Sequence, residues 1–271
     1  MAFVEVKAVS KSYARRAAGW MGLRHEAHVV VRDVSLTIAQ GETLGLVGES
    51  GSGKSTLARM ILGLVAPTTG MIRVGGQTVW DESGGASDMQ AMRRQMQPVF
   101  QDPSAALNPR MRVVDIVTEP LVIHKKDAGV DVRKIALRKA AGELLRSVGL
   151  DESALMRYPH EFSGGQRQRI NIARALALKP KFVVLDEPVS ALDVSVAAQI
   201  VNLLRTLQRE HGLTYLFISH SMPLVRYLSM RIAVMERGRL VEIGEAEALC
   251  AEPREGYTRT LLAATPELPV G

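Results

Sequence analysis

Thr43-Leu44-Gly45-Leu46-Val47-Gly48-Glu49-Ser50-Gly51-Ser52-Gly53-Lys54-Ser55-Thr56 runs an apolar stretch into a glycine-rich turn that ends in a lysine and two hydroxyls. Residues 43–47 have the composition of a buried strand, and Leu57-Ala58-Arg59-Met60-Ile61-Leu62 continues as the start of a helix. Residues Gly48 to Thr56 fit GxxxxGK[ST] in the strand–loop–helix setting that its mechanism needs. Glycines let successive backbone N–H groups converge on phosphate oxygens, and the following helix N-terminus adds partial positive charge. Lys54 supplies a full charge, and the Ser55 hydroxyl is of the type that ligates Mg²⁺ shared with nucleotide phosphates. Gly48, Ser50, Gly51, Ser52, Gly53, Lys54, Ser55 and Thr56 are therefore the candidate phosphate-binding residues.

Working outward, residues 3–8, 29–38 and 71–79 form further β-like runs, the last interrupted by Gly75-Gly76, which predicts a β-rich lobe. Between Arg15 and His28 no period is sustained, so this stretch is expected to be a surface loop, anchored by Trp20 and Met21. From Ala91 to about Phe162 the pattern turns mostly helical, with a helix over 132–148 that stops at Gly149, and a separate helical lobe is predicted there. After Ser163, helices over 166–178 and 194–210 alternate with strands over 182–185 and 214–218. That order predicts a parallel sheet covered on both faces. Residues 1–242 are expected to form one nucleotide-handling domain, and 243–271 a short extension frayed at its end.

Phe182-Val183-Val184-Leu185-Asp186-Glu187-Pro188 delivers two carboxylates to a strand end. Asp186 can hold a Mg²⁺ shell, while Glu187 can polarise an attacking water. Phosphoryl transfer needs little more than such positioning and charge stabilisation.

Lys and Arg total 34 against 28 Asp and Glu, a net charge of +6 that allows attraction to phosphates, nucleic acid or anionic lipid without selecting among them. The tightest basic group, Arg15, Arg16 and Arg24, is expected to be a solvated surface. Cys250 is the single cysteine, which excludes an intrachain disulfide or a CxxC site and fits a reducing compartment. The first seven residues alternate apolar and charged side chains, unlike a signal peptide, and no run of about 18 apolar residues occurs. Any membrane role is therefore expected to come through a partner.

Phe162-Ser163-Gly164-Gly165-Gln166-Arg167-Gln168-Arg169 resembles the signature sequence of ABC ATPases, with Phe162 where leucine is commoner. Ser163 suits an N-cap and the two glycines bare backbone amides, so this helix terminus forms a second anion site without a lysine of its own. The resemblance implies that ATP is sandwiched between the phosphate loop of one subunit and Ser163, Gly164, Gly165 and Gln166 of another. Further positions fit the family in order. Gln101 resembles the glutamine that contacts Mg²⁺ or water and senses the helical lobe, Ser190-Ala191-Leu192-Asp193 the loop that crosses the dimer interface, and His220 the histidine that holds the γ-phosphate. Tyr13 resembles the aromatic that stacks on adenine.

The resemblance spans about residues 3 to 266. It implies an α/β fold with a P-loop NTPase parallel-sheet core, an antiparallel β lobe and a helical lobe. Val99-Phe100-Gln101-Asp102-Pro103, Leu107-Asn108-Pro109-Arg110, Glu119-Pro120-Leu121 and Tyr257-Thr258-Arg259-Thr260-Leu261-Leu262 are similar to ATPases of dipeptide and oligopeptide importers, nickel-uptake relatives included. The tail is short and has no cysteine cluster, so the metal centre of some relatives is not expected. Ser221-Met222-Pro223 departs from the commoner pattern, in which aspartate follows the histidine; Pro223 behind an N-cap Ser221 still suits a first helical turn.

The function implied is ATP hydrolysis energising an importer at the cytoplasmic face of the inner membrane. Glu187, His220, Gln101 and Lys54 would be catalytic, and Ser55, Gln101 and Asp186 would hold Mg²⁺. Implied partners are integral membrane permease subunits, a second ATPase subunit, identical or paralogous, and, indirectly, an extracytoplasmic solute-binding protein; no nucleic acid is expected. The alternative is a soluble ABC ATPase acting on nucleic acid or the ribosome. Such proteins usually carry two ATPase units or a long coiled-coil insertion, and the sequence has neither. A P-loop kinase or small GTPase would lack Ser163-Gly164-Gly165-Gln166.

Overall fold

The computed structural model describes residues 2–17, 24–85, 88–124 and 133–264. It divides into two compact units, Met1–Met92 with Leu216–Gly271, and Arg93–Tyr215.

In the first unit, β1 (Ala2–Ala17) and β2 (Arg24–Ala39) form a long antiparallel hairpin. With β4 (Thr69–Val74), β5 (Gln77–Asp81) and β6 (Gly84–Gly85) they make a sheet in the order β2-β1-β4-β5-β6. Val34, Leu36 and Ile38 are buried while Ser35, Thr37 and Ala39, which alternate with them, are exposed, the period-2 pattern of a sheet with one covered face. The loop expected between Arg15 and His28 is corrected at both ends, because the ladder continues through Tyr13↔His28, Arg15↔Glu26 and Ala17↔Arg24. This stretch of sequence has no apolar alternation; backbone pairing propagates from the buried part of the hairpin. Trp20 and Met21 lie outside the described residues.

The same unit holds β3 (Thr43–Val47), β10 (Arg231–Glu236), β11 (Arg239–Glu245) and the last three residues of β9 (Thr214–Ile218), in the order β11-β10-β3-β9. β10 runs parallel to β3 and antiparallel to β11. Every residue of β3 and β9 is buried, as their continuous apolar sequences predict for strands covered on both faces. The boundary expected at 242 falls inside β11, and the tail beyond it forms helices Ala246–Ala251 and Gly256–Ala263. The fraying expected at the very end concerns residues outside those described.

In the second unit, β7 (Met96–Val99) pairs in parallel with β8 (Phe182–Asp186). β7 interrupts the stretch expected to be helical. Pro98 argues against a strand in sequence, but β8 is its one partner among the described strands, and a strand with an unpaired side tolerates proline. Helices Val113–Ile123, Lys134–Ser147 and Gly164–Leu176 pack on one another around Ile116, Val117, Ala141, Leu145, Ile170 and Ala173. The helix Val194–His211 ends on Gly212 at φ 62°, the left-handed cap that glycine favours.

Candidate nucleotide-binding site

Backbone geometry decides the phosphate loop. Gly48 and Gly53 have φ of 150° and 103°, and a Cβ on them would lie 2.1 Å from the Met235 carbonyl oxygen and 2.7 Å from that of Val30. Both glycines are thus fixed by close backbone approach from β10 and β2 as well as by conformation. Helix Lys54–Ile61 follows with Gly53 as N-cap and neither a side-chain cap nor an acidic residue in its first turn. Its positive end stays aimed at the loop uncompensated by a carboxylate.

Lys54 is only 6% exposed, and its ammonium donates to the Gly48 carbonyl at 2.7 Å, the Glu49 carbonyl at 2.8 Å and Ser52 Oγ at 3.4 Å. A buried cation is tolerated because the loop's own oxygens surround it. Ser52 is also buried, whereas Ser55 and Thr56 are half-buried and Ser50 and Gly51 exposed.

His220 is exposed one residue beyond Ser219, whose amide donates to the Leu46 carbonyl at 3.4 Å. This places His220 past the end of β9 beside the end of β3, on the side from which the phosphate loop leaves. The helix Met222–Leu228 begins at Ser221 with Pro223 in its first turn, as expected. Ser221 is its N-cap residue, but the Ser221 side chain makes no capping bond, and its amide donates to Ser219 Oγ at 3.0 Å. Tyr13 is 43% exposed on β1, with the Lys11 ammonium 4.9 Å from its ring centroid. One face of that ring is already engaged by a cation.

In the second unit, β8 ends on half-buried Asp186 and passes to half-buried Glu187. Gln101 Nε2 donates to Glu187 Oε2 at 3.0 Å, uniting two predicted residues 86 positions apart. The Glu187 carbonyl accepts from the Ser190 hydroxyl at 3.1 Å and the Ser190 amide at 3.3 Å, which closes the turn behind it.

Ser163 caps helix Gly164–Leu176 as its sequence predicts. Its Oγ accepts from the Gln166 amide at 3.4 Å, and Gln166 Oε1 accepts from the Ser163 amide at 3.1 Å, a reciprocal capping box. Gly164 is exposed, but Gly165 is buried, and a Cβ on it would meet Val196 Cγ1 at 2.4 Å. Gly165 is needed for helix packing as much as for a bare amide. Asp193 is the N-cap residue of helix Val194–His211, without a side-chain capping bond. Arg157 lies 4.3 Å over the ring of buried Phe162, steadying the chain as it enters the cap.

Two grips on the phosphate loop carry no local signal. The turn between β10 and β11 donates from the Gly238 amide to the Ser52 carbonyl at 3.0 Å, and the Tyr257 hydroxyl accepts from the Glu49 amide at 3.1 Å. Arg237-Gly238 is recognisable in sequence as a turn between strands, but not as a neighbour of the loop.

A family profile described as "ABC transporter" matches residues 31–190. The chain is 51% identical over 236 residues to the oligopeptide transport ATP-binding protein OppF of Bacillus subtilis, covering 87% of this chain and 76% of that one. It is 50% identical over 266 residues to the dipeptide transport ATP-binding protein DppF of Lactococcus lactis, covering 97% and 81%. Among solved structures, the dimeric ATP-binding cassette MJ0796 bound to ADP and Pi aligns with a TM-score of 0.75 at 30% identity, over 90% of this chain and 98% of that one. A second structure, cbiO1 from Clostridium perfringens, part of the ABC transporter complex cbiONQ, aligns with a TM-score of 0.74 at 25% identity, covering 93% and 91%. The chain, with its α/β P-loop fold, belongs to the ABC transporter family, as one of its ATP-binding cassettes.

Proposed function

We propose that this chain binds and hydrolyses ATP to drive an ABC importer of dipeptides or oligopeptides, working as one of two cassettes beneath a pair of membrane permease subunits. The observation that carries the ATPase reading is the buried Lys54 ammonium, lodged among the carbonyls of a loop whose amides and helix terminus favour anions. Relatives named as oligopeptide and dipeptide transport proteins support the importer. Among the described residues no helix is long and apolar enough to cross a membrane, so the transport path would belong to partner chains. We place the cassette at the cytoplasmic face of the inner membrane.

In this reading the amides of Gly48 to Thr56 and the Lys54 ammonium hold the triphosphate, Tyr13 stacks on the adenine, and Ser163 to Gln166 with Asp193 of a second cassette close over it. Glu187 takes a proton from the attacking water, and His220 steadies the γ-phosphate. Ser55, Gln101 and Asp186 are hard oxygen donors suited to magnesium. Magnesium, when bound, neutralises charge on the phosphates.

The test is binding of a fluorescent ATP analogue to the full chain, combined with capture from detergent-solubilised membranes. Wild-type binding weakened at least about tenfold by Lys54→Ala, with permease subunits captured, is the expected result. Binding that is absent or indifferent to Lys54→Ala, or capture of ribosomes or nucleic acid instead of permease, overturns the reading.

A further inference from the structure

The C-terminal helix reaches the phosphate loop. Tyr257, on helix Gly256–Ala263, accepts from the Glu49 amide at 3.1 Å, across 208 residues. The carbonyl of the same Glu49 accepts from Lys54 Nζ at 2.8 Å and from the Ser52 amide at 3.1 Å. Both backbone polar groups of Glu49 are therefore held, one by the loop itself and one by a hydroxyl from the far end of the chain. Glu49 stands where β3 becomes the loop, so its orientation sets that of the amides that follow.

The hydroxyl is not carried on a loose tail. Glu242 of β11 accepts from the amides of Arg254 at 2.9 Å and Glu255 at 3.2 Å, fixing the turn that leads into the helix. Arg259 Nη1 donates to the Pro253 carbonyl at 3.0 Å across the same turn, and Thr258, beside Tyr257, is fully buried. The sequence of contacts is continuous within one unit: β11, the turn, the helix, the hydroxyl, the loop.

We propose that Tyr257 is a positioning residue for the phosphate loop, and that the C-terminal helix preorganises Glu49 to Thr56 for a nucleoside triphosphate. This rests on the reading of those residues as the nucleotide site. A loop already held in its binding conformation spends less affinity on ordering when the phosphates arrive. The hydroxyl contributes one hydrogen bond; the ring only delivers it.

Tyr257→Phe in the full chain removes the oxygen and keeps the ring. In the nucleotide-free protein, hydrogen exchange at the Glu49 amide is expected to rise about three- to tenfold, the weight of one net hydrogen bond, while the Leu261 and Leu262 amides keep their protection. The Kd for a fluorescent ATP analogue and the KM for ATP should weaken by a similar factor, with kcat changing less than about twofold. Glu242→Gln, which loosens the turn and spares the hydroxyl, should move the same quantities in the same direction by less. Unchanged exchange at Glu49, or raised exchange with unchanged or tighter nucleotide binding, overturns the role of Tyr257. If the wild-type chain binds no nucleotide, the site reading fails instead, and exchange at Glu49 still decides whether the helix holds the loop.

Discussion

Gln101 holds Glu187 by a 3.0 Å hydrogen bond from Nε2 to Oε2, and Glu187 has a backbone φ of 49°, in the left-handed region that non-glycine residues rarely occupy. Such a conformation costs on the order of 1 kcal/mol and persists only where surroundings impose it. Here Ser190 imposes it, donating both its hydroxyl and its amide to the Glu187 carbonyl. The carboxylate proposed as general base is thus aimed by a strained turn behind it and a side-chain amide in front.

Removing the donor in front of the carboxylate tests whether it aims the base. Gln101→Leu keeps most of the side chain's bulk and takes away the hydrogen bond to Glu187, leaving the turn behind the carboxylate in place. The kcat for ATP should fall by about tenfold, the weight of one hydrogen bond to a charged group, whereas Glu187→Gln should bind ATP and lose about 10²–10⁴-fold in kcat. Wild-type turnover by Gln101→Leu would separate Gln101 from the base, and near-normal turnover by Glu187→Gln would remove Glu187 from that role.

The contact between Gly165 and Val196 separates packing from recognition. A methyl group on Gly165 would sit 2.4 Å from Val196 Cγ1, so Gly165→Ala forces either the helix Gly164–Leu176 or the helix Val194–His211 to shift. Overpacking of this kind costs about 1–3 kcal/mol. Adding Val196→Ala should restore a large part of that loss in urea unfolding, because the clash lies with one side chain. Additive losses in the double mutant would show that Gly165 is required for another reason. At Gly164 the nearest atom is Leu192 Cδ2 at 3.2 Å, and Ala there should be milder.

What was legible in the sequence follows from how local each constraint is. The phosphate loop and the Ser163 cap are written within nine and four residues, and the strand burial of β3 and β9 in five-residue apolar runs, so chemistry and structure coincide there. The extended ends of β1 and β2 left no trace, because paired backbone needs no apolar alternation once a neighbouring register is set. β7 was obscured by Pro98, whose cost depends on whether the strand has a second partner. Gly165 was visible as glycine, but its reason sits thirty-one positions away on Val196. The Tyr257 contact with Glu49 depends on where β11 turns the chain back, which no local pattern encodes.

Glu242 makes the hold on the C-terminal helix sensitive to acid. Burial opposes its ionised form, but the polar Thr258 side chain nearby, the hydrogen bonds from the Arg254 and Glu255 amides and the Arg254 charge outweigh that and lower its pKa from the ordinary 4.5. A carboxyl whose folded pKa is depressed stabilises the fold fully above its unfolded value and loses that contribution as pH falls through the folded value. Protection of the amides in helix Gly256–Ala263 should therefore be flat from neutrality down to about pH 5 and fall below about pH 4. Solvent screens this partly exposed group, so about 0.5 kcal/mol is at stake. Glu242→Gln should show reduced protection at pH 7 and no acid step; an acid step that survives the substitution assigns it to another carboxyl.

Phe162, standing where related signatures more often have leucine, is 5% exposed, with the Arg157 guanidinium 4.3 Å from its ring centroid. Arg157 is itself oriented, since its Nη2 donates to the Glu161 carbonyl at 2.5 Å. Phe162→Leu keeps most of the buried volume but loses the ring face, which at a partly exposed site contributes about 0.5–1 kcal/mol. For a chain of this size that corresponds to about 2–3 °C in Tm. If the loss comes from the cation over the ring, Arg157→Met should destabilise wild type and leave Phe162→Leu almost untouched, a coupling that a double-mutant cycle measures. If Phe162 merely fills space, the two losses add, and the aromatic at this position is a packing variant of leucine with no bond of its own to the signature turn.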